Sequence, residues 1–137
     1  MYLTVPELYT HLYDEVVDNI SRCDDEAPLH CIMAAISETK GYLHRYDIVK
    51  IFNATGDERN ELLLIFVKDI AVWHFVNLGN TCTDLELREK RYDRAIAWLK
   101  GVQKGDITPD LPIKDESDND FIPTFIWGSN PKRDQHF

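Results

Sequence analysis

Cysteine is scarce in this sequence, and its few copies do not form a recognisable pattern. Cys23, Cys31 and Cys82 are the only three in 137 residues. An odd number at scattered spacing argues against a disulfide framework and fits a reducing cytosol. No cysteine or histidine pair has the short spacing typical of a zinc site, so we predict neither a metal nor another cofactor.

Long apolar runs and positive charge are also scarce. The longest wholly apolar run, Leu62–Val67, ends at Lys68 and is far shorter than the ~20 residues of a membrane span. Met1 to Pro6 show no basic region followed by an apolar stretch, so no signal peptide is expected. The formal net charge of -9 repels phosphate groups and anionic lipids. We therefore expect a soluble protein that binds neither membranes nor, specifically, nucleic acids.

Catalytic motifs are missing as well. The sequence has no glycine-flanked serine elbow and no phosphate-binding loop. Its acidic clusters, such as Asp14, Glu15 and Asp18, are typical of a solvated helix face. We predict that the protein is not an enzyme, and we keep a small enzyme with an unrecognised site as the least favoured hypothesis.

What the sequence does have is helical periodicity with clear start signals. Thr4 and Glu7 have the spacing of a capping box, with Pro6 in the first turn. Apolar residues then recur every four positions from Leu8, which predicts a first helix ending near Asn19 to Arg22.

A second helix is predicted to begin around Pro28, after an acidic connector. Its apolar stripe extends to Leu43 and therefore places Gly41 inside the helix, where glycine suggests the close approach of another backbone. The segment Tyr46–Phe52 is ambiguous between a short helix and an extended piece, and Asn53–Asp57 is a predicted turn.

The third predicted helix, Glu58–Leu78, is apolar on nearly every face and should be central and buried, with Gly79 as its C-terminal cap. The fourth begins with a second capping box at Thr83–Glu86. Gly101 and Gly105 are its two possible ends. The predicted core stripe of this helix is Leu85, Tyr92, Ile96 and Leu99. Its predicted solvent-facing ion pairs are Asp84/Arg88 and Glu86/Lys90.

Asp69 lies on the apolar stripe of the third helix and would need a polar partner if buried. It is either a titrating catalytic acid or, as we favour, one half of a buried pair that fixes helix packing. The candidate partners are Arg45, Tyr46, Arg91 and Tyr92.

From Asp106 onward the chain is rich in proline and predicts an extended tail. Residues 115–120 are acidic, and an apolar patch follows. Residues 121–127 either fold back onto their own domain or reach a neighbouring subunit as an arm. The acidic spacer before them favours reach, because like charges extend a linker. The residues of this predicted contact are Phe121, Ile122, Phe125, Ile126 and Trp127.

These patterns together predict an all-α fold: a compact bundle of about four helices around a buried central helix, with an extended C-terminal tail. The predicted division is a helical domain of residues 1–105 and a tail of residues 106–137.

Three motifs occur in order along the body: GYLHRY at residues 41–46, KDIA at 68–71 and RYDRAIAWL at 91–99. From about Thr4 to Gly105 the chain resembles the Mu-like prophage branch of the phage head–tail connector proteins. The chain departs from the family's pattern in two ways. The proline that the family commonly has shortly after the Arg45-Tyr46 pair is absent, and the tail of residues 106–137 extends beyond the family's core pattern. The residues that carry the resemblance are Gly41, Tyr42, Leu43, Arg45, Tyr46, Asp69, Arg91, Tyr92 and Trp98.

The resemblance implies a structural virion component, assembled in the bacterial cytoplasm as a ring of identical subunits between the portal and the tail. An acidic surface suits the wall of a DNA conduit, which should not bind phosphates. The alternative is a cytosolic helical adaptor or regulator that binds one partner through its C-terminal apolar patch.

Overall fold

Helices provide the regular structure of residues 1–10, 26–78 and 85–115, which are the residues described by a computed structural model. No strand occurs in these ranges, although Tyr46 and Ile113 form an isolated antiparallel bridge. The all-α prediction is confirmed. The helices are α1 (Val5–Tyr9), α2 (Ala27–Lys40), α3 (Ile48–Asn53), α4 (Glu61–Val76) and α5 (Leu85–Lys104), with a 3-10 helix at Gly56–Glu58.

The start of α1 is as predicted. The backbone N–H and the hydroxyl of Thr4 each donate to Oε2 of Glu7 at 2.9 Å, and Pro6 lies in the first turn. Leu8 is buried. The predicted continuation of this helix to Asn19–Arg22 lies outside the described residues.

Helix α2 begins as predicted, with Pro28 in its first turn, but it ends at Lys40. The prediction that Gly41 lies inside this helix is wrong. Short-range bonds from the N–H groups of Tyr42 and Leu43 to the carbonyls three residues earlier tighten the last turn, and the chain then leaves the helix. A β-carbon on Gly41 would approach only the carbonyl oxygen of Glu38 in its own helix, at 3.2 Å. No other backbone in the described ranges comes that close.

The ambiguous segment after α2 contains both predicted conformations. Tyr46 is extended and bridges Ile113, whereas the carboxylate of Asp47 accepts from the N–H of Lys50 at 3.1 Å and caps α3. Gly56, with φ at +58°, begins the 3-10 helix at the predicted turn.

Helix α4 begins three residues later than predicted, because the side chain of Asn60 caps it by accepting from the N–H of Leu63 at 2.9 Å. It packs against α1, α2 and α5. The prediction that this helix is buried on nearly every face is wrong for its N-terminal half, where Leu62 and Ile65 are 44% and 46% exposed. Its buried side chains are Leu63, Phe66, Val67, Asp69, Ile70, Ala71, Val72, Phe75 and Val76.

Helix α5 buries Ile96 and Leu99 as predicted, but two other predictions for it are wrong. Leu85 is 47% exposed, and Arg88, expected on the solvent side, is buried. The reason is that α5 turns Arg88 close enough to α4 to act on Asp69. The Glu86–Lys90 ion pair is confirmed at 2.8 Å. Helix α4 ends at Val76 with Asn77 as its C-cap, so the predicted end at Leu78 with Gly79 as the cap is wrong. The predicted capping box at Thr83–Glu86 lies partly outside the described residues.

Gly105 rather than Gly101 ends α5. Its φ of +90° is a left-handed conformation that favours glycine, and the residue follows the last helical position. Gly101 lies within the helix beneath Ile107, where an added β-carbon would come 2.7 Å from Cδ1 of Ile107.

The described residues after α5, 105–115, contact the helical body at several points. Leu111 is buried, and the N–H of Asp47 donates to the carbonyl of Pro112 at 2.8 Å. The side-chain amide of Asn60 donates to the carbonyl of Asp110 at 3.2 Å. The division between domain and tail at residue 105 stays a prediction, since residues 116–137 lie outside the described part of the chain.

Candidate functional site

The first motif, residues 41–46, forms the turn that leaves α2. Leu43 and Tyr46 are buried, Tyr42 is half-buried against the core, and Gly41 and Arg45 are exposed. Arg45 lies beside the end of α5, since a β-carbon on Gly105 would be 3.0 Å from its Nη1. This motif therefore brings the turn after α2 to the C-terminus of α5.

The second and third motifs meet between α4 and α5. Asp69 is buried, and burial raises the pKa of its carboxyl against the opposing pull of Arg91, Arg88 and Arg94. Arg91 was one of the partners predicted for Asp69, and the guanidinium groups of α5 do act on it. The arrangement places a buried carboxyl opposite the arginines of α5, and the role of Asp69 in fixing how the two helices pack stays a prediction.

A polar cluster joins three helices on another side of α4. The hydroxyl of Tyr92 donates to Oε1 of Glu38 at 2.7 Å, and Nε2 of His74 lies 2.8 Å from Oε2 of the same carboxylate. Tyr92 also stacks on Trp73, with ring centroids 5.6 Å apart. Burial and the hydrogen bond to Glu38 raise the pKa of Tyr92 to about 12, so it remains a neutral donor at physiological pH.

Trp98 packs against Phe66 with ring centroids 5.0 Å apart, and the guanidinium carbon of Arg94 lies 5.9 Å from the same Phe66 ring. Leu62 and Ile65 precede Phe66 on α4 and remain exposed. Arg91 and Arg94 are exposed, whereas Trp98 is half-buried. Leu62, one helical turn before Phe66, and Ile65 lie beside these Phe66 contacts along α4. We call the following residues the α4–α5 strip: Leu62, Ile65, Arg91, Arg94 and Trp98.

The N-terminal segment is held by Arg59. Its Nη2 donates to Oε1 of Glu7 at 2.7 Å, and its Nη1 donates to the carbonyl of Tyr2 at 2.7 Å. This ion pair lowers the pKa of Glu7 to about 2. The Tyr2 ring packs edge-on against Phe52 at 5.0 Å. Its buried hydroxyl has no hydrogen-bond partner among the described residues, and burial raises its pKa to about 12.

A shallow groove of about 330 Å³ lies between α2 and the end of α4, lined by His30, Cys31 and His74 among others. Burial raises the pKa of the Cys31 thiol, which keeps it protonated and poorly nucleophilic. Within the described ranges, no three His, Cys, Asp or Glu side chains are grouped as a metal site. None of the helices in those ranges is long and apolar enough to span a membrane.

The sequence singled out Asp69 and gave Arg91, but not Arg88 or Arg94, as a candidate partner, and it gave no sign of two further arrangements. Glu38 carried no signal, because its partners are 36 and 54 residues away. Glu7 was assigned to the capping box, and nothing in its neighbourhood indicates Arg59. The predicted contact residues Phe121, Ile122, Phe125, Ile126 and Trp127 lie outside the described residues.

The motif residues thus divide by role. Leu43, Tyr46, Asp69 and Tyr92 build the packing framework, whereas Arg91 and Trp98 reach the α4–α5 strip at the surface. Comparison of the chain with family models, curated proteins and solved structures found no match.

Proposed function

We propose that the chain is a structural subunit of a phage head–tail connector, which assembles as a ring of identical copies between the portal and the tail proteins. It would be a virion component assembled in the cytoplasm of the bacterial host. The resemblance of the three motifs to the Mu-like branch of that family supports this proposal.

The structural observation that carries the proposal is the α4–α5 strip. Leu62 and Ile65 are large apolar side chains left nearly half exposed on the helix that otherwise forms the core. Trp98 and two exposed arginines adjoin them. Exposed apolar residues grouped with aromatic and arginine side chains are the composition enriched at protein–protein interfaces. The strip therefore supports a protein that works by contact with other subunits.

The charge of the chain also supports a connector. Its net charge of -9 at pH 7 gives a surface that repels DNA phosphates. The wall of a channel through which DNA passes benefits from such repulsion, because strong binding of phosphates would slow the passage of the DNA.

Deletion of the gene from its phage tests the proposal. We expect the deletion strain to make DNA-filled heads without attached tails, visible by electron microscopy. We also expect portal and capsid genes near this gene in the genome. Normal infectious particles from the deletion strain would contradict the connector role. A protein that instead co-purifies with one host partner through residues 121–127 would favour the adaptor hypothesis.

A further inference from the structure

The α4–α5 strip has a polar end and an apolar end. Arg91 and Arg94 are exposed on α5, and the guanidinium carbon of Arg94 lies 5.9 Å from the centroid of the Phe66 ring. Both arginines also oppose the rise that burial causes in the pKa of Asp69, midway along α4. Leu62 and Ile65 lie on the N-terminal half of the same helix. They share a face with Asp69, because residues three and four positions apart are neighbours on a helix. Trp98 touches Phe66 between these two ends.

One segment of the chain has the complementary order of side chains. Residues 115–120 contain Asp115, Glu116, Asp118 and Asp120, and the apolar run Phe121–Trp127 follows directly. An acidic stretch matches the arginines, and the aromatic stretch that follows matches the leucine, isoleucine and tryptophan of the strip. Charge complementarity of this kind selects partners and sets the register of an interface.

We propose that residues 116–127 of one copy dock onto the α4–α5 strip of a second copy, with the acidic residues at Arg91 and Arg94 and the aromatic residues against Leu62, Ile65 and Trp98. This rests on the proposed function, since it names the contact by which identical subunits join.

The path of the described chain favours a second copy over the same one. The carbonyl of Asp110 accepts from Asn60 at the start of α4, and the chain then passes Asp47 to Asp115, whose carboxylate lies 3.7 Å from Nζ of Lys50 on α3. Asp69 lies nine residues beyond Asn60, about 13 Å along the helix axis. The last described residue is therefore held at α3 and not at the arginines of α5. A tail that leaves its own body at α3 is placed to meet the strip of a neighbouring copy.

A photo-crosslinking experiment on the full-length protein tests this docking. Ile126 is replaced by the photoreactive residue benzoylphenylalanine, and equal amounts of ¹⁴N- and ¹⁵N-labelled protein are mixed and irradiated. We expect cross-links from position 126 to peptides containing Leu62, Ile65 or Trp98, with hybrid isotope pairs making up about half of them. Only same-isotope pairs would show that the tail docks on its own chain. Cross-links confined to other surfaces, or no cross-links at the highest soluble concentration, would also overturn the proposal.

Charge reversal tests the predicted register. The double variant Arg91→Glu/Arg94→Glu should lower the hybrid cross-link yield about tenfold, and Asp118→Lys/Asp120→Lys in the other copy should restore it. The matched control is Lys100→Glu/Lys104→Glu, which changes the same charge at exposed positions on the opposite side of α5. Equal loss in both double variants, or no rescue, would contradict the register. Thermal melts followed by circular dichroism verify that each variant is folded.

The two proposals fail separately. If the deletion strain makes tailless heads but hybrid cross-links never form, the connector role stands and this docking is wrong. If hybrid cross-links form but the deletion strain makes normal particles, the docking stands and the connector role is wrong.

Discussion

Arg59 and Glu7 form a two-armed ion pair that joins the N-terminal segment to the turn before α4. The two nitrogens Nη2 and Nη1 lie 2.7 and 3.2 Å from the two carboxylate oxygens, and both side chains are mostly buried, at 12% and 30% exposed. The same guanidinium also donates to the carbonyls of Tyr2 and Gly56. A planar group with five donors can make all these bonds at once, which an ammonium cannot.

Replacing Arg59 should therefore loosen the N-terminus. We expect Arg59→Ala to lower the free energy of unfolding by about 2 kcal/mol, because charge-assisted hydrogen bonds are lost and Glu7 is left without its cation. Arg59→Lys should recover only part of the loss. Urea denaturation measures the change. The matched control is Lys90→Ala, which breaks the exposed Glu86–Lys90 pair of 2.8 Å and should leave the midpoint nearly unchanged. Equal effects of the two alanine variants would contradict a stabilising role of the Arg59–Glu7 ion pair.

The same pair predicts an acid dependence. The pKa of Glu7 is lowered from 4.5 to about 2, mainly by its hydrogen bond to Arg59. A carboxyl with a lowered folded-state pKa stabilises the fold above its unfolded pKa, and the stabilisation is lost as the pH falls through the folded value. Glu7→Gln keeps a capping side chain but removes the charge. Its destabilisation relative to the wild type should be full at pH 7 and should shrink between pH 4.5 and 2. A constant difference in urea midpoint across that range would exclude this role of Glu7.

Asp69 should be coupled to Arg91 and not to Arg45. We expect Asp69→Ala to lower the melting temperature, and Asp69→Asn to lower it less, because the amide fills the same space and can hydrogen-bond. Double-mutant cycles should give a coupling free energy of about 1 kcal/mol between Asp69 and Arg91. The control cycle pairs Asp69→Ala with Arg45→Ala, whose effects should add within about 0.5 kcal/mol, since Arg45 lies beside Gly105. Unchanged stability of Asp69→Ala would refute the buried pair.

Gly105 should tolerate substitution poorly. Its φ of +90° strains any L side chain, and a β-carbon would also press on Arg45 at 3.0 Å. We expect Gly105→Ala to destabilise the protein by at least about 1 kcal/mol. Gly56→Ala is the control for strain alone, because that glycine has φ at +58° with nothing within 4 Å of an added β-carbon. If Gly56→Ala costs more than Gly105→Ala in thermal melts, packing at Arg45 is not part of the effect.

The local features of the fold could be predicted, whereas several features set by packing could not. The capping box at Thr4, the start of α2 and the burial of Leu99 follow from short-range pattern and spacing. The exposure of Leu62 and the burial of Arg88 depend on which faces α4 and α5 turn to each other. Hydropathy alone places leucine inside and arginine outside, and Arg88 does the opposite because Asp69 faces it from α4.

The candidate site divides in the same way. Asp69, Arg91 and Trp98 could be selected from motifs, but the approach of Arg91 to the buried Asp69 and the position of Trp98 on the α4–α5 strip depend on the packing of two helices. The cluster of Glu38, His74 and Tyr92 gave no signal in the sequence, because its members come from three helices and are brought together only by tertiary structure.

The most direct test of the central claim is complementation of the deletion phage, scored as the fraction of DNA-filled heads that carry tails in electron micrographs. We predict tailless heads without the gene, restoration of tails by the wild-type protein and by Lys100→Glu/Lys104→Glu, and no restoration by a folded Arg91→Glu/Arg94→Glu variant. Tailed, infectious particles from the uncomplemented deletion strain would contradict it.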